Sequence, residues 1–228
     1  MSKQGRVVVA CPHCSHQQSE PQGGYSTVCK KCRRHFRIDE ALNPARQIPK
    51  TGPKQRRVTC FECQAPLDVP ATAESTMCKQ CSRYVDLKDY HIEGAISKNF
   101  KTKGLFVIEP RGYVFNTESL VGDAVIKGRL LGKLVAERRL TIHTTAEIKG
   151  SFTAGCLVIP AANHFYWKDP IHVGSADIAG ELTGRIYATH QVLLRSTARF
   201  FGNVEAGDLV VEEGAVLVGH AQAGMKPH

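Results

Sequence analysis

From Gly132 onward the sequence repeats every 17 or 18 residues, and a period that short constrains the fold more than any single motif. Glycines stand at Gly132, Gly150, Gly184, Gly202 and Gly219, at intervals of 18, 34 (twice 17), 18 and 17. Behind each glycine come an apolar residue, a small one and then an apolar pair. Leu134, Ala136, Leu140 and Ile142 follow Gly132, and Phe152, Ala154, Leu157 and Ile159 follow Gly150. Ile186, Ala188, Val192 and Leu194 follow Gly184, and Val204, Ala206, Leu209 and Val211 follow Gly202. The apolar pair falls one place later in the 18-residue units, so the extra residue sits in one corner. A unit this short cannot bury its apolar face alone and needs a neighbour on each side.

Within each unit, alternating apolar positions such as Ala146 and Ile148, or Ala215 and Leu217, mark strands with inward-facing side chains. Gly and Asn at recurring corners supply positive φ. No helical periodicity of useful length competes. The expected fold class is therefore all-β, a β-solenoid of 17–18 residues per coil, with about six coils between Gly122 and Ala223 and strands about 4.8 Å apart. Residues 91–121 read as one or two irregular first coils that join or cap the stack, and 224–228 as a short tail.

The first 90 residues have a different composition. They hold eight of the nine cysteines, with 15 basic against 8 acidic residues. Cys11 and Cys14 are followed by Cys29 and Cys32. Cys60 and Cys63 are followed by Cys78 and Cys81, so the whole pattern recurs at an offset of 49. A two-residue gap lets both thiolates of a pair turn inward at the tip of a tight turn. Two facing tips give a closed tetrahedral four-sulfur shell, which suits structural Zn²⁺, two per chain; iron is chemically compatible with the same ligands. A module of about 35 residues has too little core to fold alone, so metal carries much of its folding free energy. The modules resemble zinc ribbons over residues 7–39 and 57–88. Ser15, Arg33, Gln64 and Ser82 stand where such knuckles usually have glycine. His13, His16 and His35 lie near the knuckles, and with four thiolates supplied they read as surface residues. The expected division is a ribbon at 1–43, a flexible basic linker at 44–58, a second ribbon at 59–90, and the solenoid at 122–223.

Eight thiolates and two Zn²⁺ reduce the excess charge of the first 90 residues from +7 to +3. Lys30, Lys31, Arg33, Arg34 and Arg37 of the first ribbon, with Arg46, Lys50, Lys54, Arg56 and Arg57 of the linker, are candidate contacts to phosphate. A solvated hinge between two protein-binding ribbons explains the same residues. Few aromatics are available for base stacking, so only non-specific nucleic-acid binding is supported.

The solenoid segment resembles a known family. Gly122-Asp-Ala-Val-Ile-Lys-Gly128 through Ala136, Gly180 through Ala188, Ala198 through Ala206, and Leu209 through Ala215 are similar to coils of bactofilins, over residues 120–222. The resemblance implies a right-handed β-helix that polymerises end to end without nucleotide, as a bacterial cytoskeletal element. Two places depart from the family. Leu217 stands where many bactofilins have phenylalanine in the last coil, and residues 163–170 interrupt the repeat, with Trp167 where a corner glycine is due. That aromatic segment reads as a bulged corner packed on the solenoid, with a lateral partner contact as the alternative.

An open stack leaves unpaired backbone groups at its end coils, which recruit another chain unless covered. Only a short tail follows the last coil, so Leu209, Val211, Val216, Leu217 and Val218 form the candidate polymer interface. The N-terminal run Val7–Ala10 is too short for a signal peptide, and no segment approaches a membrane span, which suggests a cytoplasmic protein. A hexapeptide-repeat acyltransferase is a weaker alternative, because the corner glycines do not lock to a six-residue step and the histidines share no common place in the repeat. Cys156 reads as a small core residue. No paired carboxylates, phosphate loop or triad spacing appears, so the chain reads as a non-enzyme. It is expected to associate with itself and to meet protein partners through the ribbons. A regulatory or nucleic-acid adaptor oligomerised by the solenoid is the remaining alternative.

Overall fold

The period becomes a parallel sheet wound into coils. The computed structural model describes residues 5–42 and 54–224, and the chain divides into one unit up to Lys54 and another from Gln55 onward. In the second unit the strands β9 (Tyr90–Ile92), β10 (Ala95–Ile96), β11 (Lys101–Ile108), β12 (Tyr113–Ile126), β13 (Arg129–Ile142), β14 (Glu147–Ile159), β15 (His164–Ile178), β16 (Glu181–Leu194), β17 (Arg199–Val211) and β18 (Val216–Ala223) form one sheet. Its order runs sequentially from β18 down to β11 and then β9, with β10 on β12. Each long strand goes once round the stack and lies parallel to the next.

The register follows the repeat. Gly132 pairs with Gly150, Leu134 with Phe152 and Ala136 with Ala154. Ile186 pairs with Val204, Ala188 with Ala206, Val192 with Leu209 and Leu194 with Val211. These inward rows are buried up to Ala206, and each fully buried Leu, Ile, Val or Phe stabilises the stack by about 1.5–3 kcal/mol. The register shifts by one residue between Ala188 and Gln191, in the corner where the 18-residue units hold their extra residue.

At the corners, glycine is required by close approach. A Cβ on Gly202 would stand 2.0 Å from the Gly184 carbonyl oxygen, and φ at Gly202 is 134°. Gly150 repeats this against Gly132. The column is broken at Trp167, whose carbonyl takes the place beneath Gly184. The Trp167 ring is half-buried against the core, 4.9 Å from Phe152 and stacked on Phe165 at 5.8 Å, so this segment is a corner packed on the solenoid. Two more residues than in the next coil are accommodated between Tyr166 and Pro170.

The coils reach further back than residue 122. β10, β11 and the first half of β12 lie within the expected transition segment, and Ile92, Phe100, Phe106, Ile108 and Val114 are buried in the same core. These first coils are shorter: Tyr113 pairs with Arg129, and Thr117 stands opposite Gly132.

The cysteine modules are pairs of short antiparallel hairpins. In the first, β1 (Arg6–Ala10) pairs with β2 (Gln17–Pro21) and β3 (Ser26–Val28) with β4 (His35–Arg37), followed by a one-turn helix α1 (Ile38–Leu42). In the second, β5 (Gln55–Thr59) pairs with β6 (Pro66–Pro70) and β7 (Ser75–Met77) with β8 (Tyr84–Asp86). Residues 55–58, expected in the linker, are therefore strand: Arg56 and Arg57 pair with Val69 and Asp68.

Candidate metal centres and assembly end

Each Cys-x-x-Cys pair closes a knuckle in the same way. The amides of Ser15, Arg33, Gln64 and Ser82 donate to the carbonyls of Cys11, Cys29, Cys60 and Cys78 at 2.8, 2.9, 3.2 and 2.8 Å. All four residues after the second cysteine are left-handed, with φ of 57°, 57°, 57° and 54°. The corner geometry is kept without glycine, at a conformational cost for these L residues.

The knuckles bring the sulfurs together as the spacing predicts. Cys11, Cys14, Cys29 and Cys32 hold their Sγ atoms within 4.8 Å of one another, as do Cys60, Cys63, Cys78 and Cys81. Cys14 and Cys29 are 3.5 Å apart and Cys11 and Cys32 are 3.8 Å apart. Cys60–Cys81 and Cys63–Cys78 are each 3.5 Å apart. A tetrahedron with metal–sulfur bonds of about 2.3 Å has edges of about 3.8 Å, so both clusters fit one ion with little movement. All eight are free thiols, and the first of each pair is buried.

The backbone prepares some of these thiols to be ligands. The amide of Cys32, against the effect of burial and then with the help of Lys31, draws Cys29 down to about 6. The amides of Cys63 and Glu62 draw Cys60 down to about 6. Cys14 behaves oppositely. The His16 amide lowers it, but burial and the three facing thiols outweigh that and push it up to about 12. Cys81 is likewise pushed to about 12 against the Arg83 amide. Four thiolates this close repel, and a bound divalent cation reverses that balance.

The second ribbon is fastened to the solenoid by residues that sequence reasoning passed over. Lys103 on β11 is 1% exposed. Its Nζ donates to Thr59 Oγ1 at 3.2 Å and to Glu137 Oε1 on β13 at 2.7 Å, and lies 4.0 Å from the centre of the Phe61 ring. Lys101 Nζ donates to Glu62 Oε1 at 2.7 Å and lies 5.2 Å from the same ring. Leu87 is buried, and Thr102 Oγ1 donates to the Lys88 carbonyl at 2.8 Å. Tyr90 donates to Asp86 at 2.7 Å.

The candidate phosphate contacts separate into groups. Lys30, Lys31, Arg33 and Arg34 are exposed on the first ribbon, as is Lys54. Arg37 stacks over Tyr25 at 4.5 Å and pairs with Asp39 at 2.9 Å. Arg57 pairs with Asp68 at 2.9 Å. Arg56 is not a free linker cation: its Nη2 donates to the Ala73 and Leu87 carbonyls at 2.9 and 3.1 Å, tying the ribbon to its exit strand. Arg46 and Lys50 lie outside the described residues.

At the far end, no strand pairs with the outer edge of β18 among the described residues. Leu217 stacks on Phe200 in the inward row, and Leu209 and Val211 continue the rows of Val192 and Leu194. Val211 is 48% exposed, whereas Leu194 beneath it is fully buried. Val216 and Val218 follow Arg199 and Phe201, rows that alternate with the inward ones, so they form the rim of this end. Cys156 is half-buried in the row of Arg139 and Ser175, outside the inward rows of Ala154 and Leu157. His164, His172, His190 and His220 are exposed and His143 is half-buried. No helix among the described residues is long and apolar enough to cross a membrane.

A family model described as "Bactofilin: Polymer-forming cytoskeletal" matches residues 83–166 and 167–222. The two matched segments meet at the Trp167 corner. Neither curated proteins nor solved structures gave a significant match.

Proposed function

This chain belongs to the bactofilin family, a structural and not an enzymatic class, and from that premise we propose that it is a bacterial cytoplasmic scaffold. It assembles with itself through the end of its β-solenoid, without nucleotide, and recruits protein partners through two zinc-loaded ribbons. The observation that carries this reading is the uncovered C-terminal coil, where the inward rows run out to Leu209, Val211 and Leu217 with no further strand upon them among the described residues. Unpaired strand edges with apolar rows behind them recruit another chain. Ribbons repeated along an assembly bind a partner with higher avidity than one ribbon alone.

The test is Leu217→Arg, which places a charge in the terminal inward row. Assembly visible in electron micrographs of the unaltered chain is expected to disperse in this variant, and filaments that persist unchanged would count against the interface. Elemental analysis is expected to find about two zinc per chain, with one lost in the Cys60→Ser/Cys63→Ser variant. Iron, or no metal, would overturn the metal assignment.

The adaptor reading draws on the exposed Lys30, Lys31, Arg33 and Arg34 of the first ribbon. Tight binding of nucleic acid that weakens steeply with salt would favour it.

A further inference from the structure

The two ribbons are copies, and they differ at the places where the second touches the solenoid. Between its first two cysteines the second ribbon carries Phe61 and Glu62, while the first carries Pro12 and His13. Thr59, just before Cys60, corresponds to Ala10 before Cys11. Phe61, Glu62 and Thr59 are the residues that receive Lys101 and Lys103 from β11. Proline has no aromatic face for an ammonium and alanine has no acceptor oxygen, so the first ribbon cannot dock in this way.

The chain leaving the second ribbon then takes the position of a preceding coil. Tyr90, His91 and Ile92 pair with Phe106, Val107 and Ile108. The carbonyl oxygens of Lys88 and Leu87 lie 2.2 and 2.7 Å from where a Cβ on Gly104 would be, and Asp89 Oδ1 accepts from the Leu105 amide at 2.7 Å. Tyr90 covers Phe100, with ring centres 5.1 Å apart. The N-terminal edge of β11 is thus already used by the chain itself, and the last strand on that side is three residues long, too short to template another chain well. The C-terminal edge has no such cover among the described residues. The two ends of one solenoid are therefore unlike.

We propose that the second ribbon is a metal-held plug on the N-terminal end of the stack. In its loaded state the chain joins a second copy through the C-terminal end alone. This rests on the end-to-end reading above and adds its regulation. Two chains meeting by the same end form a closed two-fold pair, so growth beyond a pair requires release of the second ribbon. Metal would govern that release, because a module this small draws its folding free energy from its ion. Phe61 and Glu62 sit between two of the four ligands and would lose their fixed place when the ion leaves. The first ribbon, with Pro12 and His13, has no part in this.

The test compares full-length zinc-loaded protein with three variants by sedimentation velocity and negative-stain microscopy, with circular dichroism reporting the β-solenoid. Cys60→Ser/Cys63→Ser removes the second metal, Phe61→Ala keeps all eight cysteines but weakens the dock, and Cys11→Ser/Cys14→Ser empties the first ribbon. The expected result is discrete pairs for the unaltered chain and the Cys11/Cys14 variant. Both second-ribbon variants are expected to shift to particles several solenoids long. If the cysteine variant loses its β signal, Phe61→Ala decides. Long filaments from the loaded unaltered chain, or second-ribbon variants that keep their β signal and stay paired, would overturn the plug. Monomers in every sample would overturn the end-to-end reading itself, and the plug with it.

Discussion

Lys103 Nζ lies 2.5 Å from Glu137 Oε2 across two coils of the solenoid, and this pair gives the buried lysine its counterion. Thr59 and the Phe61 ring complete its surroundings. Substitution Glu137→Gln leaves the ammonium buried with a hydroxyl and an aromatic face. The expected loss is about 2–3 kcal/mol of unfolding free energy in urea titrations at neutral pH, below the usual cost of breaking a fully buried pair because Glu137 is partly exposed. Lys103→Met removes the charge and keeps much of the volume, and is expected to cost less. The reverse order would show that packing, and not the buried charge, dominates here.

The joint between the second ribbon and the solenoid is predicted to respond to alkali. The hydrogen bond from Tyr90 to Asp86, then burial, push the Tyr90 phenol up to about 12. A phenol that ionises later in the folded chain than in the unfolded one contributes stability that is fully present below its ordinary value near 10. That contribution is lost as pH rises through 12. Tyrosinate absorbance should show a late step that disappears in Tyr90→Phe. If the late step survives in that variant, another tyrosine is responsible.

The four left-handed corners offer a gain in metal affinity. Ser15, Arg33, Gln64 and Ser82 each hold a conformation that glycine adopts without strain. Arg33→Gly and Ser82→Gly are expected to stabilise their loaded ribbons by about 0.5–1 kcal/mol each, because the strain relieved exceeds the chain entropy glycine adds. Competition against a chromogenic chelator should therefore show metal held about two- to five-fold more tightly. Weaker binding in both variants would mean that the side chains of Arg33 and Ser82 contribute more than their strain costs.

Two glycines of the corner column should respond differently to alanine. At Gly202 the new methyl group meets a carbonyl at 2.0 Å in a left-handed backbone. At Gly184 the nearest carbonyl, that of Trp167, is 3.0 Å away and the backbone is not left-handed. Gly202→Ala is expected to cost about 3 kcal/mol and Gly184→Ala about 1 kcal/mol, as read from thermal or urea unfolding. Equal losses would refute the distinction.

The parts of this fold legible in the sequence were those governed by local rules. A corner glycine every 17 or 18 residues fixed the register of Ile186 on Val204, and paired cysteines at matched spacing fixed both metal shells. The coils before Gly122 were harder to read because they step by 15 or 16 residues and place Thr117 where later coils have glycine. Lys103 gave no signal, since a lysine in Lys-Thr-Lys-Gly looks like any solvated cation until Glu137 and Phe61 are brought to it from distant positions. Arg56 was misread for the same reason, as its carbonyl partners lie 17 and 31 residues away.

The glycine column also makes the solenoid a ruler. Each coil touches only its neighbours and adds about 4.8 Å, so the reach from the Cys60–Cys63 knuckle to the β18 edge changes only in whole steps. A coil such as residues 181–198 meets glycine corners above and below, and copying or excising one would lengthen or shorten the rod while leaving both poles as they are. The Trp167 coil cannot be exchanged in this way, because its ring is keyed to Phe152 beneath it. The rod thus has one fixed graduation, and its other coils can be counted up or down to set how far apart its two ends stand.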